Sequence, residues 1–132
     1  MTVATLFPFL SKPDPTRLAA LLSEDVRFHS PVADYEGRAD VTHLLTAIAG
    51  VLDSVGPVRE LAAGRERTTF LAGTAQGRPI EGVLDEHHDE QGRVVEATLM
   101  LRPLFALQVA VRAMAEALTL SPLPSRARRG PA

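Results

Sequence analysis

The chain has no cysteine among its 132 residues, which excludes disulfides, thiolate metal sites and a cysteine nucleophile. It also lacks tryptophan and asparagine, carries a single tyrosine (Tyr35) and a single lysine (Lys12), and draws its remaining basic charge from arginine. We read that bias as genomic composition with no bearing on mechanism. No run approaches the ~18 uncharged apolar residues of a membrane span. The first ten residues lack the basic start of a secretory signal, so the expected location is cytoplasmic, with no membrane partner. Glycine-rich phosphate loops, nucleophile elbows and paired zinc-ligand motifs are missing as well, and no cofactor is expected. The formal charge is −2. Because Arg126, Arg128 and Arg129 sit in a tail without acids, the rest is more acidic still, which argues against a nucleic-acid module.

What is present is a balanced globular composition, 45% hydrophobic and 23% charged, long enough for one domain with a real core. The most telling stretch runs from Gly92 to Leu104. It reads as a turn, a strand and a helix that starts at Pro103. Val95, Ala97, Leu99 and Leu101 share one face of that strand, while Glu96, Thr98, Met100 and Arg102 share the other. One side of the sheet is therefore apolar and needs a cover.

Upstream, Phe7, Phe9 and Leu10 precede a break near Pro13, then a helix capped by Asp14 with Pro15 in its first turn. A short strand with Val26, Phe28 and Ser30 inward ends at Pro31. After a loop over residues 33–39, Asp40 is placed to cap a helix with apolar positions Val41, Leu44, Leu45, Ile48, Val51, Leu52 and Val55, stopped by Gly56-Pro57. Four strand-like runs follow between Val58 and Arg102, split at Gly64, Gln76-Gly77 and Glu90-Gln91-Gly92. The last helix would bury Leu104, Leu107, Val111, Met114 and Leu118. This order predicts an α+β domain over residues 1–120, a curved antiparallel sheet wrapped around helices as a cone with an apolar pocket. Residues 121–132 are expected to form a disordered Pro/Arg-rich tail.

That order, with Phe28-His29-Ser30-Pro31-Val32, Tyr35-Glu36-Gly37-Arg38, Glu81-Gly82-Val83 and Met100-Leu101-Arg102-Pro103-Leu104, resembles the SnoaL-like branch of the nuclear-transport-factor-2-like superfamily over roughly residues 15–118. The resemblance implies the cone fold and a range of functions that includes polyketide cyclases, steroid isomerases, limonene epoxide hydrolases and dehydratases. Fold alone therefore leaves function open. The acid that steroid isomerases carry before Pro-Val falls on Ser30 here. Their second acid falls on Leu84, and their first-helix tyrosine has no counterpart, since Tyr35 lies in a loop. Those departures argue against steroid-isomerase chemistry, whereas a pocket acid shifted to Asp85 or Glu86, as cyclases use, stays open.

The run Leu84-Asp85-Glu86-His87-His88-Asp89-Glu90 is the densest titratable group. If Leu84 points inward, strand alternation sends Glu86 and His88 inward and Asp85 and His87 outward; a one-residue bulge would reverse this. A carboxylate beside an imidazole in a dry hollow suits abstraction of a proton next to a carbonyl, so Glu86 or Asp85 is the candidate base with His88 assisting. The competing reading leaves these groups solvated near the turn and inert. His87 and His88 point to opposite faces and do not share an ion, so no metal is expected. His29 reads as a surface or subunit-contact residue, His43 with Thr46 as solvent-facing, and Arg102 as a structural partner of Glu96. The expected pocket lining is Phe28, Ser30, Tyr35, Leu84, Ala97, Leu99 and Leu101. The expected function is binding of a small hydrophobic, polyketide- or terpenoid-like molecule, with cofactor-free isomerase, cyclase or dehydratase chemistry if it is an enzyme. The alternative is a non-catalytic dimeric ligand-binding or adaptor domain. A homodimer is expected through the outer sheet face that carries Thr98 and Met100.

Overall fold

A single 3-10 turn at Phe7–Leu10 and helix α1 (Pro15–Leu21) lead into β1 (Leu22–His29), β2 (Asp34–Glu36) and α2 (Arg38–Val51). Strands β3 (Leu52–Ala63), β4 (Glu66–Ala75), β5 (Arg78–His88) and β6 (Val94–Arg102) follow, then α3 (Leu104–Leu120) and α4 (Pro124–Arg129). The computed structural model describes residues 4–129, the last three of them by backbone alone. The chain break near Pro13 and the cap at Asp14 are as the sequence reads: Asp14 Oδ1 accepts from the Arg17 N–H at 3.2 Å.

The strands form one six-stranded sheet in the order β2-β1-β6-β5-β4-β3. The pairs from β3 to β6 are the expected antiparallel meander, but β1 joins β6 in parallel. The sheet is therefore mixed. Its concave side packs on α2 and α3, with Phe28, Leu84, Leu99, Leu44 and Leu45 in the core. Curvature needs a close approach at Gly82 of β5, where a Cβ would run into the Met100 carbonyl of β6; glycine at such a bend is a known device.

Several boundaries differ from the sequence reading. Helix α2 starts after Gly37, whose φ of +97° suits glycine, rather than at Asp40. It ends at Val51, and Gly56-Pro57 lies inside β3, an edge strand whose ladder is interrupted on either side of that pair. An edge tolerates the missing proline N–H. A register shift opposite His87 and His88 turns Val94 rather than Val95 inward. In α3 the fully buried side chains are Ala106 and Ala110, and Leu104 is 69% exposed. The segment expected to be a disordered tail contains α4, with Leu123 buried and Asp40 accepting from Ser125 N and Oγ; residues 130–132 lie outside the described residues. No described helix is long and apolar enough to cross a membrane.

The face assignment along β6 has a direct check. Leu99→Ala removes a fully buried side chain and is expected to cost about 2–5 kcal/mol in urea denaturation, whereas Met100→Ala, at a position 63% exposed in the single chain, is expected to cost less.

Candidate functional site

Two separate features occupy the cone. The first is an apolar chamber of about 60 Å³ between α2, α3, the end of β6 and the segment after β1. Leu44, Ile48 and Val51 of α2 face Leu107, Ala110, Val111 and Met114 of α3 across it, and Leu99 and Leu101 form its floor. Pro31 and Val32 close one side, and Ser30 and Tyr35 supply the polar side chains of the lining. Ser30 is committed to its own turn: its hydroxyl donates to the Ala33 carbonyl at 2.9 Å and accepts from the N–H groups of Val32 and Ala33.

The second feature is a sealed polar pair. Glu86 and His88 point inward from β5, as alternation requires, and are 0% and 2% exposed. His88 Nε2–H donates to Glu86 Oε1 at 3.2 Å, and Nδ1–H donates to the Gly92 carbonyl at 3.0 Å. Both ring nitrogens face acceptors, which favours the imidazolium. The hydrogen bond to Glu86 outweighs burial and holds His88 above its ordinary value, with Arg67 opposing. Glu86 Oε1 also accepts from the Leu6 N–H at 2.8 Å, so the 3-10 segment, with Leu6, Phe7 and Leu10 buried, roofs the pair. The other carboxylate oxygen, Oε2, is buried without a partner.

The structure thus divides the residues that the sequence reading placed in one pocket. Ser30, Tyr35, Leu99 and Leu101 line the chamber. Phe28, Leu84 and Ala97 do not; they are fully buried core. Phe28, Ala97 and Glu86 lie side by side across β1, β6 and β5, one register step below the chamber floor. Asp85 is not with Glu86. It faces the outer side of the sheet and accepts from Thr68 Oγ1 at 2.7 Å. Arg102 pairs with Glu81, its cross-strand neighbour, rather than with Glu96. His43 is half-buried and bonded to the Ser121 carbonyl at 2.7 Å. The helix residues of the chamber were legible only as buried faces, because amphipathic spacing marks the side that meets the sheet and not the gap left there.

No protein-family model and no curated protein matches the chain. Among solved structures, a bacterial protein with a cystatin-like fold from Silicibacter pomeroyi DSS-3 is similar at 22% identity, covering 88% of this chain and 84% of that one, with a TM-score of 0.84. A steroid delta-isomerase from Pseudomonas aeruginosa is 27% identical over 86% of this chain and 85% of its own, with a TM-score of 0.80. An NTF2-like protein of unknown function from Mesorhizobium loti is 24% identical over 74% and 83%, with a TM-score of 0.63. The chain has the nuclear-transport-factor-2-like cone fold. The isomerase similarity does not restore the acids expected of that chemistry at Ser30 and Leu84; the acid sealed inside this cone is Glu86.

The sign of the pH dependence follows from His88. A folded-state pKa raised above the ordinary ~6.5 gives stability that is complete below that value and lost as pH rises through the raised one. The urea midpoint is expected to fall from pH ~6 into the alkaline range. Glu86→Gln is expected to remove part of that decline.

Proposed function

We propose that the protein is a cytoplasmic receptor for a small apolar molecule, held in the chamber between α2, α3 and the end of β6. The observation that carries this reading is the lining itself: apart from the hydroxyls of Ser30 and Tyr35 every side chain in it is apolar, and no charged side chain enters it. At about 60 Å³ the chamber is well below the ~150 Å³ cavity known to take benzene. Binding therefore couples to outward movement of the Pro31-Val32 wall or to a rotamer change of the flexible Met114.

A toluene titration followed by methyl NMR tests this. Shifts are expected at Leu99, Leu101 and Met114 and none at Val94, and Ala110→Leu is expected to abolish them by filling the space. Absence of chamber shifts at saturating toluene would remove the reading.

A second reading is supported by the unpartnered Glu86 Oε2 beside His88. In it the chain carries out cofactor-free proton transfer on a carbonyl of a polyketide- or terpenoid-like substrate, as the SnoaL-like resemblance implies. Glu86 is the base, His88 stabilises its carboxylate, and the 3-10 segment lifts to admit substrate. Asp85, on the outer side of the sheet with Thr68, has no part in this reading. This reading predicts loss of turnover in Glu86→Gln with toluene binding unchanged.

The outer sheet face fits a homodimer. Phe70, Val83 and Met100 are successive cross-strand neighbours there, and the Arg59 guanidinium stacks 4.2 Å from the Phe70 ring. A stable interface would bury on the order of 1,200–2,000 Å² in total. Sedimentation is expected to show a dimer at micromolar concentration, and Met100→Glu to give monomer.

A further inference from the structure

His29 stands at the end of β1 on the outer face, bridging two other strands. Its Nδ1–H donates to Asp34 Oδ1 of β2 and its Nε2–H to Glu96 Oε2 of β6, both at 2.7 Å. The charged groups around it come from every neighbouring strand. Arg27 of β1 reaches Glu96 at 3.4 Å. Glu36 of β2 lies opposite Arg27. On β5, His87 lies opposite Glu96 and Asp85 opposite Thr98, which is itself the β6 partner of His29. His87 in turn faces Glu66 of β4 at 3.8 Å.

Strand β2 is the weakest part of the sheet. It has three residues, sits at an edge, and is registered on β1 by Arg27↔Glu36, Phe28↔Tyr35 and His29↔Asp34. The turn between the strands closes on itself through Ser30 N–H to the Ala33 carbonyl at 2.9 Å and the Ser30 hydroxyl bonds, so it can move as a unit. This unit carries Pro31 and Val32, and β2 carries Tyr35, all of which wall the chamber. Val32 is exposed, so little apolar burial holds the turn in place, and Tyr35, partly buried against the core, is the apolar anchor of β2.

We propose that His29 is a proton-operated pin on the chamber wall: with both ring protons it ties β2 to β6 and keeps the wall closed, and loss of one frees Asp34 and lets the wall move outward. A neutral imidazole has one N–H, so one carboxylate then faces a bare nitrogen lone pair. Asp34 is the one released, because its side chain is 77% exposed while that of Glu96 is 36% exposed and also held by Arg27. The hydrogen bonds to Glu96 and Asp34 hold the imidazole above its ordinary value against desolvation. The tie is therefore complete below pH ~6.5 and lost as pH rises through the higher folded value. The consequence for ligands rests on the proposed function. Since the closed chamber is too small for an aromatic ring, deprotonation favours binding, and by reciprocity a bound ligand lowers the pKa of His29.

The experiment has one arm without ligand and one with toluene. Amide protection of residues 32–36, corrected for intrinsic exchange, is expected to drop as the His29 ring titrates by NMR, while protection in β5 stays constant. In Asp34→Asn the side-chain amide can donate to a neutral Nδ1, so protection is expected to persist across the same range. Toluene affinity is expected to rise with pH, by at most about tenfold per pH unit for one proton, and to be flat in Asp34→Asn. Protection that ignores the His29 titration overturns the pin. Protection that follows it while toluene affinity stays flat overturns its control of the chamber. Toluene that binds at no pH overturns the ligand reading instead, and the protection arm still decides for or against the pin.

Discussion

The parallel pairing of β1 with β6 is a contact between the first long strand and the last, and no tight turn can make it. The chain must pass through α2 and the whole β3–β5 meander before β6 is available to receive β1. Once formed, the pairing places the turn after β1 against the start of α3, which creates the chamber. It also sets His29 beside Glu96 and Leu22 beside Val94, near the sealed pair. Loop-closure entropy has to be spent before this contact returns anything. The meander, built from neighbouring hairpins, has no such delay.

The interior is divided by chemistry. Above the row of Phe28 and Ala97 the concave face is apolar and incompletely filled; in that row and below it, Glu86 and His88 form a charged pair without access to water. Burying two charges costs more than their attraction returns unless their other polar atoms are satisfied. Here the bond between the two side chains, the Leu6 N–H and the Gly92 carbonyl together satisfy three of the four polar atoms, and Glu86 Oε2 is left over. The pair thus links β5 to the chain's first turn. An apolar replacement would pack the core as well, but it would give the N-terminal segment nothing specific to dock on.

Much of this was legible. Period-two alternation put Glu86, His88, Leu84, Ala97 and Leu99 inward and Asp85 outward, and each prediction holds because β5 runs without a bulge as far as His87. Val95 was misassigned because the irregularity opposite His87 and His88 leaves no mark in a single strand's pattern. Helix α2 was overrun at its end for a related reason: Leu52 and Val55 fit a helical period, and Pro57 reads as a stop, although an edge strand accommodates it. The pocket was located too deep. Buried positions are written in the sequence as apolar spacing, whereas the gap between α2 and α3 depends on the angle at which two helices meet the sheet, and no residue encodes that angle by itself. The clamp between Asp40 and Ser125 was missed because it joins segments far apart in sequence.

A sheet that does not close on itself exposes two ladders of unpaired amides and carbonyls, each a template on which another chain could extend the structure. Both ends of this sheet are poor templates. At one end β2 offers three residues. At the other, β3 is long, but Pro57 removes a donor, the ladder is broken on both sides of it, and Arg59 and Glu60 add charge. The proline that looks misplaced inside a strand therefore gives the chain resistance to aggregation, at a position where a regular apolar edge would make high concentration hazardous.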